Sequence, residues 1–160
     1  MSLSNQVKKI ASEAFAGNDH VRSVAIGDSV EVIDVRAFSD CANLESVTVP
    51  DSVETIENAA FSDCPSLKRV SVGTGLKSLG NGVFAGDYSL SSVDFSSDNP
   101  YFVCDDGAIY NKKGWDVLYQ VLSGRKADSY SMPSSVNKIR PYSFWCDYNL
   151  HSVSISGNVS

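Results

Sequence analysis

A recurring Phe constrains this chain more than any other feature. Phe15, Phe38, Phe61 and Phe84 are spaced 23 residues apart, and Phe144 follows after a further 60. Self-similarity at a fixed period of this length is the mark of a solenoid or another repeat array.

Six more columns move with the Phe. Eight residues before it stand Val7, Val30, Val53, Leu76 and Val136; five before it, Ile10, Ile33, Ile56, Leu79 and Ile139; one before it, Ala14, Ala37, Ala60, Val83 and Ser143. Six after it come Val21, Leu44, Leu67, Leu90 and Leu150; nine after it, Val24, Val47, Val70, Val93 and Val153; eleven after it, Ile26, Val49, Val72, Phe95 and Ile155. Of these 35 positions 34 are apolar, Ser143 being the exception. At the chain's overall hydrophobic fraction of 42 %, chance would supply about 15.

Each unit closes on Leu-x-x-Val-x-Val, as in Leu44 to Val49, and the final alternation has the period of a strand. Val47 and Val49 are expected to face inward, Ser46 and Thr48 outward. Turn residues follow: Pro50-Asp51-Ser52, Gly27-Asp28-Ser29 and Gly73-Thr74-Gly75. A second extended piece, as at 53–56, should lead into one helical turn carrying Ala60 and Phe61. A unit this short has no room for a long helix, so the back of each coil must be thin. No coil can hide its own apolar columns, so neighbours must stack. The expected fold is a right-handed solenoid with one parallel β-sheet and one short strand per 23-residue coil. Its back would consist of short extended pieces and single helical turns.

The stretch Val30 to Pro50 reads Val-x-x-Ile-x-x-x-Ala-Phe-x-x-Cys-x-x-Leu-x-x-Val-x-Val-Pro. It resembles the BspA-type leucine-rich repeat, and the resemblance covers nearly the whole chain. The Asn ladder of the common leucine-rich repeat is missing; Pro50-Asp51-Ser52 stands there instead. The resemblance implies a surface or secreted protein, extracellular or at the cell surface, of the adhesin-like kind that binds host or other partner proteins.

The period breaks between Phe95 and Val136. Regular coils are expected over 7–95 and 133–160, with an insert over 96–132, all within one domain spanning 1–160. Asp106 to Tyr110 and Val117 to Tyr119 flank Asn111-Lys112-Lys113-Gly114, which reads as a β-hairpin. Tyr130-Ser131-Met132-Pro133 copies Val47-Thr48-Val49-Pro50, so the insert should end in a further strand of the same sheet. No leader peptide is visible, and Met1-Ser2-Leu3 reads as an added start. Val7 and Val159 share one register, and no polar terminal cap is apparent. The chain is therefore expected to be a piece of a longer array.

A net charge of −6 disfavours nucleic acid and anionic lipid as main partners. No apolar run is long enough for a transmembrane helix. Cys41 and Cys64 share the column three after Phe. Coil stacking at about 4.8 Å would put them within disulfide reach, while the family's buried Cys column implies free thiols. Cys104 and Cys146 lie outside that column. His20 and His151 are far apart and no Cys-x-x-Cys occurs, so no metal site and no cofactor are expected. Cys146 and His151 are not spaced for a catalytic pair, and no phosphate loop or Ser-His-Asp set is present, so no enzyme is expected. The terminal Asn158-Val159-Ser160 matches a glycosylation triplet but carries little weight at a chain end.

Two binding candidates remain. On the outward strand face, Arg22, Glu45 and Lys68 should form a charge ladder. Arg69, beside Asp94, is the one anchor-type residue there. Ten of the 16 aromatic residues lie between Tyr101 and Tyr148, with Tyr110, Trp115 and Tyr119 in the hairpin. They form either a contact patch made by the hairpin and the coil after it, or the insert's own small core. The expected function is a non-enzymatic protein-binding module using Trp115, Tyr110, Tyr119, Arg69 and Asp94. The alternative is a structural spacer within a larger surface protein.

Overall fold

The computed structural model describes residues 7–155 and residue 159; the first three residues, Asn158 and Ser160 lie outside the described residues. Short strands follow one another along the chain: β1 (Lys9–Ile10), β2 (Ser23–Ala25), β3 (Val32–Ile33), β4 (Ser46–Val49), β5 (Thr55–Ile56), β6 (Arg69–Val72), β7 (Ser78–Leu79), β8 (Asp94–Phe95), β9 (Phe102–Asp105), β10 (Ala108–Asn111), β11 (Val117–Val121), β12 (Ser129–Ser131), β13 (Lys138–Ile139) and β14 (Ser152–Ser154).

The Val-x-Val pieces form the front sheet, β2-β4-β6-β8, parallel throughout. Its register is the repeat itself: Val24 aligns with Val47 and Val47 with Val70. Val47 and Val49 are buried and Thr48 is exposed, as the alternation requires. The second extended piece of each coil does more than back this sheet. It forms a parallel sheet of its own, β1-β3-β5-β7, with Ile10, Ile33, Ile56 and Leu79 in line.

The single helical turn expected around Ala60 and Phe61 is absent, and tight turns replace it. In the second coil the Ala37 N–H donates to the Asp34 carbonyl at 3.2 Å and the Ser39 N–H to Arg36 at 3.1 Å. Arg36 (φ 55°) and Asp40 (φ 57°) are left-handed. This alternation turns every second N–H along the stack. Arg36, Phe38 and Asp40 donate to the Asn58, Ala60 and Ser62 carbonyls of the next coil at 3.1, 2.8 and 2.9 Å. A helical turn would direct those donors along its own axis. Neighbouring coils satisfy them instead, which offsets the strain of left-handed non-glycine residues. The left-handed positions recur two residues before the Phe (Glu13, Arg36, Ala59, Gly82, Tyr142) and two after it (Gly17, Asp40, Asp63, Gly86, Cys146).

Inside these turns the Phe rings stack. Centroids are 4.9 Å apart from Phe15 to Phe38, 5.3 Å to Phe61 and 5.9 Å to Phe84, with planes within 11° of parallel. Phe38, Phe61 and Phe84 are buried, whereas Phe15, on the first described coil, is 43 % exposed.

The insert contains the expected hairpin, β10 antiparallel to β11. β9 adds to the other edge of β10 across Asp106-Gly107, both at positive φ (44° and 69°), the backbone that a two-residue turn with matching twist requires. β11 then pairs in parallel with β13, taking the back-sheet place of a missing coil. The further front-sheet strand expected at Tyr130 does not join that sheet. β12 pairs with β14 instead, and β9 occupies the flank of β8: Phe102 packs on Phe95 at 5.9 Å and Cys104 meets the Ser92 hydroxyl at 3.8 Å. The core divides accordingly. The larger cluster runs through the regular coils to Phe102, Ile109 and Leu122; the smaller joins Tyr110, Leu118, Tyr130, Met132 and Val136, with Phe144 at its side.

Candidate functional site

The front sheet brings Arg69 and Asp94 together. Arg69 aligns with Ser46, and Asp94 with Ser71, on neighbouring strands. All four border one open depression of about 500 Å³. Its remaining rim is mostly hydroxyl groups, with Lys68 as a second cation, so Lys68, Arg69 and Asp94 are its strongest polar features. The expected ladder stands beside it: Glu45 bridges Arg22 at 3.3 Å and Lys68 at 4.0 Å. A second ladder, unread in the sequence, runs along the back sheet, pairing Lys8 with Glu31 and Lys77 with Glu54, both at 2.6 Å.

The hairpin rings are placed differently. Tyr110 is 3 % exposed, stacks on Trp115 at 5.1 Å and hydrogen-bonds the Tyr130 hydroxyl. Tyr119 meets Phe102 edge-on at 5.2 Å and carries the Arg140 guanidinium 5.0 Å from its centroid. Trp115 is partly buried against the smaller cluster. Tyr110 and Trp115 thus belong to the smaller cluster, whereas Tyr119 packs against the larger one. The most exposed rings, Tyr142, Trp145 and Tyr148, lie in the coil after the hairpin; Tyr88 and Tyr101 are exposed as well.

Cys41 and Cys64 are free, buried thiols, donating to the Phe15 and Phe38 carbonyls, each at 3.2 Å. Burial pushes both thiols above the ordinary range. They lack the electropositive, partly open surroundings of a reactive cysteine. Among the described residues no group of three or more His, Cys, Asp or Glu side chains is placed to hold a metal ion, and no helix is long and apolar enough to cross a membrane.

The family model for the BspA type leucine rich repeat region matches six copies over residues 1–113 and 116–160. The chain belongs to this family. Its fold is shared with a leucine rich cell surface protein from Faecalibacterium prausnitzii A2-165, 27 % identical over 98 % of the chain, with a TM-score of 0.81. It is also shared with the pneumococcal vaccine antigen PcpA (20 % identity over 95 % of the chain, TM-score 0.67) and a leucine-rich repeat protein from Bacteroides ovatus ATCC 8483 (23 % over 95 %, TM-score 0.63). The chain spans 42 %, 53 % and 36 % of those three chains. No curated protein matches the sequence.

Within this BspA-type region, buried polar side chains repair the joints where repeats meet the insert. Asn99 is fully buried. Its Nδ2 donates to the Gly73, Thr74 and Leu76 carbonyls at 3.1–3.3 Å, and its Oδ1 accepts from the Tyr101 and Phe102 N–H groups at 2.8 and 2.9 Å. One amide thus closes the fourth coil and starts β9. Gln120 substitutes for a missing backbone. The Phe15, Phe38 and Phe61 N–H groups each find a carbonyl in the next coil, but Phe84 donates to the Gln120 side-chain Oε1 at 3.1 Å. Asp87 stands in the Cys column, accepts the Cys64 N–H at 2.8 Å and is held well above the usual carboxylate range by burial. Asn99 and Gln120 belong to no repeat column, so only a fold showing which backbone groups lack partners reveals them. Asp87 was in register with Cys41 and Cys64 and was legible as a departure from that column.

Proposed function

We propose that this chain is a non-enzymatic protein-binding module of a bacterial cell-surface protein, displayed outside the cell, with a host or other surface protein as its partner. The front-sheet depression that joins Arg69 and Asp94 carries this reading. It sets two cations, Lys68 and Arg69, and one carboxylate on a broad, hydroxyl-rich face, a combination that gives a protein partner orientation and specificity. The F. prausnitzii relative, described as a cell surface protein, supports the location. Trp115 and Tyr119 do not line this depression and are partly buried, so they are not its anchor.

Surface-immobilised chain is expected to retain a protein from serum or extracellular matrix. The Arg69→Ala/Asp94→Ala double variant should lose most of that binding, about tenfold or more if the pair is a hot spot. Equal capture by wild type and variant would remove the site. A spacer role has its own support in the coil-to-coil ladder of the regular coils, which suits a stiff rod. It would be the better reading if the folded chain captured no protein at all.

A further inference from the structure

Two columns of the repeat change side-chain size along the turn edge of the solenoid. Two residues before the Phe the side chains run Arg36, Ala59, Gly82, Tyr142; one residue after it they run Ser39, Ser62, Ala85, Trp145. In the first column the middle members are small and the ends large; in the second only Trp145 is large. The result is a trough of about 430 Å³ floored by Ser62, Gly82 and Ala85, with Arg36 at one end and Tyr142 and Trp145 at the other.

The aromatic end is built rigidly. At this edge the last coil reaches across the insert to the fourth. A Cβ at Gly82 would stand 3.2 Å from the Tyr142 Cβ, and Arg140 Nε donates to Asn81 Oδ1 at 3.0 Å. Tyr142 is left-handed (φ 64°), a strained backbone for an aromatic residue. The Trp145 N–H closes the turn onto the Tyr142 carbonyl at 3.1 Å, and the two rings meet edge to face at 5.6 Å. Yet Tyr142 and Trp145 are 57 % and 55 % exposed. The left-handed turn is the repeat's own, but packing gives no reason for the two large rings on it to stay in water.

The walls are polar and planar. Asn58 uses its Oδ1 on the Asn81 N–H at 2.7 Å, and Asn81 uses its own on Arg140, so each amide has Nδ2 left to donate. The Asp63 carboxylate lies over Gly86, where a Cβ would come within 2.3 Å of its Oδ1. Arg36 and Asp63 balance in charge. The backbone along the trough is already spent on coil-to-coil bonds: the Arg36, Ala59 and Asp63 N–H groups donate to Asn58, Asn81 and Ala85 carbonyls at 3.1, 3.1 and 2.7 Å. A peptide strand therefore finds no ladder to join, and the small-residue floor offers no deep apolar hole for a side chain.

We propose that this trough binds a neutral oligosaccharide, one sugar ring lying against Trp145 and its hydroxyls shared among Asn58, Asn81 and Asp63. A pyranose supplies both chemistries at once: an apolar C–H face for the indole, and adjacent hydroxyls that donate and accept in the fork geometry of amides and carboxylates. Coils repeat at about 4.8 Å, so the trough crosses enough of them to seat a short chain of rings. This site is separate from the Arg69–Asp94 face.

The test is a screen of the folded chain against an array of neutral gluco-, manno-, galacto- and N-acetylhexosamine trisaccharides, with hits titrated calorimetrically. At least one trisaccharide should bind. Trp145→Ala should weaken it about tenfold or more. Ala59→Tyr should block it too, because it places in the trough a side chain of the type Tyr142 already carries at the same left-handed position. Arg69→Ala/Asp94→Ala should leave sugar affinity unchanged. Absence of any binding trisaccharide would overturn the proposal, as would binding that survives both trough variants. Capture of a deglycosylated protein that Trp145→Ala abolishes, with no sugar bound, would assign the trough to a peptide instead.

Discussion

The regular coils and the insert solve one problem in opposite ways. From 7 to 95 successive coils repeat one another, so apolar columns and most backbone donors are satisfied by matching positions in a neighbouring coil. From 96 to 132 no copy exists, and single buried polar side chains do the joining: Asn99 where the coils end, Gln120 where a backbone carbonyl is missing. The coils spread their stability over many small repeated contacts, whereas the insert concentrates it in a few residues. That difference makes the two regions respond differently to substitution.

The largest effect should come from the middle of the ring stack. Phe61→Ala removes a fully buried ring with a stacked neighbour on each side and should cost about 3–5 kcal/mol in denaturant unfolding. Phe15→Ala, in the same column but 43 % exposed, should cost markedly less. Equal losses would break the view that the stack matters through burial.

Next should come Asn99→Ala. It removes the partner of two N–H groups and of three carbonyls that share its two amide hydrogens; water can reach the part-buried ones, so the cost should be about 1–3 kcal/mol. Hydrogen exchange should show the lost protection concentrated around 99–105 while the coils up to Leu67 keep theirs. A loss spread evenly over the chain would contradict the division between regions.

Asp87 sharpens the comparison through pH. Burial raises its folded-state carboxyl above the unfolded value of about 3.9, so the folded state holds that proton more tightly. Its contribution to stability is full below the unfolded value and is lost as pH rises through the raised folded value. Asp87→Asn keeps an acceptor for the Cys64 N–H and carries no charge. It should flatten this dependence and raise the melting temperature at pH 7 relative to wild type. A variant with the same pH slope as wild type would refute the assignment.

The smallest effect belongs to the surface ladder. Glu45→Gln should change stability by no more than about 0.5 kcal/mol, because both of its pairs are solvent-exposed.

The repeat made the front sheet readable residue by residue, because Val47 and Val49 must alternate with Ser46 and Thr48 whatever surrounds them. The hairpin was readable from its Gly-containing loop. The second parallel sheet was harder to see, since two-residue strands such as Val32–Ile33 carry no alternation of their own. The left-handed turns were hidden for a different reason: Arg36 and Asp40 adopt that backbone only because a neighbouring coil accepts their N–H groups. β12 was misplaced because its sequence copies a front strand, while β9 holds the flank of β8. For the sites, column position put Arg69 beside Asp94. The exposure of Trp145 depends on how the last coil crosses to Gly82, which no local pattern encodes.

Native-state hydrogen exchange at the Phe38 and Phe61 amides tests the stacking of like coils most directly. Each N–H is bonded to the next coil, at 2.8 and 3.0 Å, behind a buried ring. Both should exchange only through global unfolding, with a free energy matching that from denaturant. Exchange of Phe61 through local opening, as fast as that of exposed turn amides, would contradict the fold.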